Sequence, residues 1–291
     1  MAIDACVLTD WFAEKARDLP WRRSDCSAWG VLVSEIMLQQ TPVARVEPSW
    51  HEWVARWPKP SDLAAATPAD VLRMWGKLGY PRRALRLRDA AAVIADQHDD
   101  VVPSDVDTLL ALPGIGAYTA RAVAAFAYRK RCPVVDTNVR RVIARAVHGA
   151  GDAGPASNTR DMADAEKLLP EDDEHAARMS AALMELGAIV CTARNPRCAD
   201  CPVYDTCAWQ LAGKPAYNGP AKPVQKFAGT DRQVRGLLLD VLRDTSTPVP
   251  KTRLDVVWSD AGQRDRCLDS LLVDGLVEQT ADGLFALPGE H

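Results

Sequence analysis

A chain of 291 residues with 47% hydrophobic residues is long enough for one large or two modest domains, and no apolar run approaches a membrane span. The N-terminus, MAIDACVLTDWFAEK, has no basic stretch leading into an apolar one, so no signal peptide is expected. The formal charge of −4 argues weakly against a nucleic-acid partner, but the charges are segregated. Arg73 to Arg88 holds six basic residues and no acid, and Arg121 to Arg145 holds seven with Asp136 as the single acid. Such runs either track phosphates or line solvated helix faces.

The first two-thirds reads as helix. Apolar residues recur at three and four in VLVSEIMLQQ, VARVEPSWHEWVARW, ALRLRDAAAVIADQH and MSAALMELGAIV. Pro42, Pro58, Ser61, Thr67-Pro68 and Pro103-Ser104 punctuate these segments, and no alternating strand precedes residue 220. Glu35 is the only charge in its helix, set among Val33, Ile36, Met37 and Leu38. If buried, it has a raised pKa suited to a general acid; the alternative is an exposed residue on a polar face with Gln39.

In LPGIGAYTA, Leu112 to Ala120, a glycine turn joins two apolar helices. Gly114 and Gly116 let the backbone bend and approach closely, and the following helix start offers free N–H groups to a phosphate. Asp136 follows in VVDTNVRRV, where it reads as a helix cap, as a desolvated carboxylate able to stabilise positive charge, or as both.

Cys191, Cys198, Cys201 and Cys207 then form C-x6-C-x2-C-x5-C. Four thiolates so close can hold an iron–sulfur cluster or a structural zinc, and the residues alone leave both open. Paired disulfides are the bland alternative, disfavoured because Cys6, Cys26, Cys132 and Cys267 are dispersed and nothing else suggests secretion. A cytoplasmic, reducing compartment is expected.

Residues 213–228, rich in Gly, Pro and Lys, read as a linker between a body at 1–212 and a tail at 229–291. The tail has helical patterns over DRQVRGLLLDVLRD, KTRLDVVW and GQRDRCLDSLLVDG. Two short strands follow around Asp282-Gly283, which suggests a small α+β, winged-helix-like domain.

In this order the pieces resemble the helix-hairpin-helix DNA glycosylases, and within them the MutY-type adenine DNA glycosylases. The resemblance covers residues 7–210 and rests on Leu19–Arg22 (LPWR), Ser34–Val43 (SEIMLQQTPV), Leu78–Tyr80 (LGY), LPGIGAYTA, Val135–Val139 (VDTNV), and LMELGAIVC leading into the cysteine loop. It implies an all-α helix-hairpin-helix core with a 4Fe–4S cluster on the four cysteines. It also implies a base excision repair enzyme that acts, as a monomer, on double-stranded DNA with adenine opposite 8-oxoguanine or guanine, close to the bacterial nucleoid. Endonuclease III-like glycosylase/lyases carry a lysine just after the hairpin, where this chain has Tyr118, so a Schiff base cannot form there. The remaining alternative is a non-catalytic iron–sulfur DNA-binding regulator.

By the same resemblance, Glu35 protonates the adenine, Asp136 stabilises the sugar cation, and Tyr118 and Asn138 order these groups and the water. Trp21 and Arg22 line the adenine pocket. Gln40 and Tyr80 enter the duplex near the opposite base and Thr41 touches that base. Gly114 and Gly116 hold a phosphate, and Arg194 and Arg197 add phosphate contacts. Two departures stand out. Ser180-Ala181 replaces the family's Asn-Gln or Asn-Glu pair, which removes one expected adenine contact. The tail is too short for the family's NUDIX-like domain, so it is expected to be a clamp or packing module, with Arg232 and Arg235 near Lys226 on phosphates.

Overall fold

A computed structural model of the chain describes residues 3–219 and 227–290; Lys226 and residues 220–226 of the expected linker lie outside the described residues. The helices run α1 (Ala5–Lys15), α2 (Ala28–Leu38), α3 (Val43–Arg56), α4 (Pro60–Ala64), α5 (Pro68–Trp75), α6 (Arg82–Gln97), α7 (Val106–Ala111) and α8 (Ala117–Tyr128). They continue as α9 (Thr137–Ala146), α10 (Asn158–Glu166), α11 (Asp173–Ile189), α12 (Ala208–Leu211), α13 (Asp231–Arg243), α14 (Lys251–Asp255) and α15 (Ala261–Val273). Strands β1 (Glu278–Gln279) and β2 (Phe285–Ala286) close the chain. No helix among the described residues is long and apolar enough to cross a membrane.

Short polar caps start these helices, as the punctuation suggests. Thr67 accepts from the Asp70 N–H ahead of Pro68 in α5, and Asp172 accepts from the His175 N–H in α11. At α7 the cap is one residue later than expected: Asp105, not Ser104, accepts from the Thr108 N–H at 3.0 Å.

The chain packs as two compact units. Among the described residues, one comprises 3–32, 103–111 and 115–219. Its core gathers Leu8 of α1, Val139, Val142 and Ile143 of α9, and Met179, Leu183 and Leu186 of α11, with Cys191, Cys201 and Cys207 packed against it. The long apolar face of α11 is the hub, because α1, α8 and α9 all bury against it.

The other unit comprises residues 33–102, 112–114 and 227–290 of the described chain. It includes the tail, whose α13, α14, α15 and β-hairpin appear in the expected order. Val249 adds a third strand position by bridging Phe285, which completes a winged-helix arrangement. The tail is not free-standing. Ala69 and Leu72 of α5 lie in one apolar cluster with Val234, Leu238, Leu239 and Leu242 of α13 and with Leu287. Polar contacts reinforce the join: Arg243 Nε donates to the Leu72 carbonyl at 3.1 Å, and Arg73 pairs with Glu290 at 2.6 Å.

The two basic runs are largely drawn into such internal contacts. Arg73 also donates to the Thr245 carbonyl, Arg82 pairs with Asp274, and Arg88 donates to the Ala66 carbonyl. In the second run Arg131 pairs with Glu166 and Arg140 with Asp161. A guanidinium has five donors, so buried helix ends recruit it readily.

Candidate active site and cysteine loop

Asp136 is both cap and constrained carboxylate. Its Oδ1 accepts from the backbone N–H groups of Asn138 and Val139 at 2.8 Å each, which starts α9. Its Oδ2 accepts from Asn138 Nδ2 at 2.7 Å. Burial pushes its pKa above the usual carboxylate range, while those hydrogen bonds and the charge of Arg141 pull it back. Tyr118, in the first turn of the hairpin helix α8, packs half-buried with Ala122, Val134 and Ala177.

Arg141 sits behind this carboxylate. Its Nη2 donates to Asn138 Oδ1 and to the Gly187 carbonyl, and its Nε donates to the Cys191 carbonyl, each at 2.7 Å. Gly187 makes this possible: a β-carbon there would come within 2.7 Å of Asn138 Cβ and 2.8 Å of the Asn138 carbonyl oxygen. The glycine of LMELGAIVC therefore lets α11 reach the start of α9.

Beyond Arg141 lies the cysteine loop. None of its four cysteines is in a disulfide. Burial lifts the Cys201 thiol to about 11, and the charges of nearby Cys191, Cys207 and Cys198 add to the rise. Arg145, only 5% exposed, donates to Cys191 Sγ at 3.4 Å and to the Thr192 carbonyl at 2.7 Å, and its guanidinium lies 4.7 Å from the Trp209 ring. A buried cation against a loop of thiols suits an anionic thiolate-held cluster. Arg194 is exposed, whereas Arg197 is exposed but donates to the Ile189 carbonyl at 2.8 Å, closing the end of α11.

Trp21 is buried and Arg22 half-buried in a short turn after α1. Glu185 of α11, fully buried, binds Arg17 and Arg22 at 2.7 and 2.9 Å. Burial alone would raise the Glu185 pKa, but hydrogen bonds from Arg17 and Arg22 and the Arg22 charge hold it at about 2. Arg22 Nη1 is buried with no hydrogen-bond partner, a donor left for something else. Ser180 is buried and donates to the Cys132 carbonyl at 3.1 Å.

In the other unit, Glu35 is 6% exposed, which rejects the exposed polar-face alternative. Gln40 and Tyr80 are exposed non-glycine residues with left-handed backbone, at φ of 57° and 50°. Arg83 holds them in place. Its guanidinium donates to the Ile36 and Gln39 carbonyls at 2.6 Å and to the Gly79 carbonyl at 2.9 Å, and it lies 5.6 Å from the Tyr80 ring. Burial lowers its pKa to about 10. Thr41 is buried, donating to the Leu78 carbonyl at 3.1 Å and accepting from Arg83 at 3.2 Å.

The hairpin glycines differ. Gly114 has φ of 74°, and a β-carbon there would sit 2.7 Å from Arg86 Cβ, so the fold itself requires glycine. Gly116 has φ of −93° and open space where a β-carbon would be. Nothing within the protein demands glycine there, and the N-terminus of α8 lies open to an outside group.

The structure thus groups Asp136 with Asn138, and Gln40 and Thr41 with Tyr80 through Arg83. Sequence reading missed Arg83, Arg141, Arg145 and Glu185 as members of these clusters. Arg83, Arg141 and Arg145 stood only within basic runs, and Glu185 stood inside an apolar helix much as Glu35 does. A cavity of about 250 Å³ between Arg140, His148, Arg160 and Asp164 contains none of the candidate residues. Within its wall Arg140 pairs with Asp161 at 2.6 Å, and the His148 ring hydrogen-bonds Asp164 at 2.9 Å.

Residues 33–169 match the HhH-GPD superfamily of base excision DNA repair proteins, and residues 191–207, first cysteine to last, match the iron-sulfur binding domain of endonuclease III. Fold and site therefore define a helix-hairpin-helix base excision repair protein that carries a 4Fe–4S cluster. The chain is 67% identical over 291 residues to the adenine DNA glycosylase of Mycolicibacterium smegmatis, covering 100% of this chain and 98% of that protein. It is 62% identical over 284 residues to that of Mycobacterium tuberculosis (strain CDC 1551 / Oshkosh), covering 97% and 93%. Among solved structures, a thermostable thymine-DNA glycosylase is similar at a TM-score of 0.64 and 26% identity, over 72% of this chain and 95% of that one. The chain belongs to the adenine DNA glycosylase family.

Proposed function

We propose that this protein is a monofunctional glycosylase that hydrolyses the N-glycosidic bond of adenine opposite 8-oxoguanine or guanine in duplex DNA. The observation that carries the reading is Asp136: half-buried, aligned by Asn138, and accompanied by Tyr118 where a lyase needs lysine. The target adenine leaves the stack to be reached. Its ring meets Trp21 and the unpartnered Arg22 donor. Glu35, desolvated in α2, protonates N7 and makes the base a neutral leaving group. The sugar that remains is an oxocarbenium-like cation, which the Asp136 carboxylate stabilises or traps transiently. Water adds, ordered by Tyr118 and Asn138, returns a proton to the Glu35 carboxylate, and leaves an abasic site.

Gly116 and the open N-terminus of α8, with the Gly114 turn, take a backbone phosphate. Gln40 and Tyr80 enter the duplex near the opposite base, beside Thr41. Arg194 adds a phosphate contact, with Arg197 beside it. Cys191, Cys198, Cys201 and Cys207 hold the cluster, which braces this loop when bound. The body at 1–212 works with the tail at 229–291 as a monomer on DNA in the bacterial cytoplasm. The test is to incubate the purified protein with duplexes bearing adenine opposite oxidised guanine, guanine, cytosine or thymine. Alkali-labile abasic sites in the first two are expected; their absence from both would end the reading.

A further inference from the structure

The tail reaches the residue assigned to the opposite base. Arg232, in the first turn of α13, donates from Nη1 to the Tyr80 hydroxyl at 3.3 Å. Its guanidinium carbon lies 5.7 Å from the Tyr80 ring centroid, and that of Arg83 lies 5.6 Å away, so two cations flank the ring. Tyr80 is 40% exposed and Arg232 is exposed as well.

Three features set Arg232 apart. A cation at a helix N-terminus works against the macrodipole, so local helix stability does not account for it. The other arginines of α13 serve packing: Arg235 pairs with Asp274 at 2.6 Å, and Arg243 pairs with Asp240 and donates to the Leu72 carbonyl. Finally, the tail is anchored beside Tyr80 rather than tethered. Its core includes Ala69 and Leu72, and Lys77 pairs with Asp240 and Arg82 with Asp274 across the join. Acidic residues outnumber basic ones over 229–291, which does not suit a general phosphate clamp.

We propose that Arg232 is a specificity-determining residue, which holds Tyr80 and donates a guanidinium hydrogen to the C8 carbonyl oxygen of the oxidised purine opposite adenine. This rests on the reading that Tyr80 lies at that base. A guanidinium N–H donates well to a base carbonyl oxygen. Oxidised guanine carries a carbonyl oxygen at C8 that guanine lacks, and Arg232 favours the base that presents it.

The test compares the full-length, cluster-loaded protein with Arg232→Ala, Arg232→Lys and Tyr80→Ala. Single-turnover adenine release is measured opposite oxidised guanine and opposite guanine, with Kd for uncleavable versions of both duplexes at several salt concentrations. Cluster absorbance and thermal unfolding confirm that each variant is folded. Arg232→Ala is expected to lower the preference for the oxidised partner about tenfold, the size of one good base contact, with guanine duplexes little changed. Arg232→Lys recovers part of that preference. An equal loss on both duplexes with a shallower salt dependence would make Arg232 a phosphate contact and overturn the proposal, as would no change. If Tyr80→Ala itself leaves the preference intact, the underlying assignment of Tyr80 fails. If Tyr80→Ala removes the preference while Arg232→Ala keeps it, the assignment stands and the proposal for Arg232 falls.

Discussion

Gly187 lies so close to Asn138 that a β-carbon would come within 2.7 Å of the Asn138 Cβ. The contact is between helices α11 and α9, and Asn138 is the residue that aligns Asp136 Oδ2 at 2.7 Å. Gly187→Ala therefore has to displace Asn138. A shift of about 1 Å at a reacting group can lower a rate on the order of 10²-fold. Single-turnover adenine release should fall by that order, with DNA affinity retained. A near-normal rate would show that α9 relaxes without moving the carboxylate.

Asp136→Asn separates capping from chemistry. Asparagine caps a helix as well as aspartate does, so α9 should survive. The raised pKa of Asp136 means that its ionisation costs folding energy. That cost is absent below the unfolded pKa and complete above the folded one. Asp136→Asn should thus be at least as stable as the parent at neutral pH, with the difference vanishing in acid. Adenine release should nonetheless fall by more than the ~10²-fold typical of one acid–base group, as it should in Glu35→Gln. Paired thermal melts and single-turnover assays check both halves.

The Glu185 pair has the opposite sign. Its pKa is about 2 in the fold against an ordinary 4.5. The stabilisation is complete above 4.5 and is lost as pH falls toward 2. Glu185→Gln leaves Arg17 and Arg22 partnered only by an amide. It should cost about 3 kcal/mol at neutral pH, the low end for a broken buried pair because Arg17 is partly exposed. Denaturant melts from neutral pH into acid should show a parent that loses its advantage in the acid range while the variant changes little.

Tyr118 governs the outcome after base release. Borohydride should trap little covalent protein–DNA adduct, and strand breaks should follow alkali treatment. Tyr118→Lys should introduce trapping, since an amine at that position can condense with the opened sugar. Efficient trapping by the parent protein would contradict the monofunctional reading.

The tail should be inseparable from the unit it joins. Leu238, fully buried, packs in the same cluster as Leu72. Leu238→Ala should cost ~2–5 kcal/mol and melt both together in one transition. Removal of residues 229–291 should yield insoluble protein, because Ala69 and Leu72 lose their cover. A soluble truncated protein that keeps its cluster and melts at the parent temperature would refute this.

The features legible from the chain alone are local in origin. Apolar spacing marked the helices, Gly114 marked the turn, and Asp136 declared itself as a cap. Four cysteines within one loop could be read as a metal site because neighbours in sequence must be neighbours in space. The joint order of these motifs carried the family. Tertiary structure decided where long side chains end. Arg83, Arg141 and Arg145 looked like a charged surface, yet each turns to backbone carbonyls at helix ends that only folding assembles. Gly187 reads as an ordinary helix glycine until α9 is laid against it, and Arg232 meets Tyr80 across 152 residues. A guanidinium on a flexible stem reaches whatever acceptors the packed helices present, and no local window of sequence contains those acceptors.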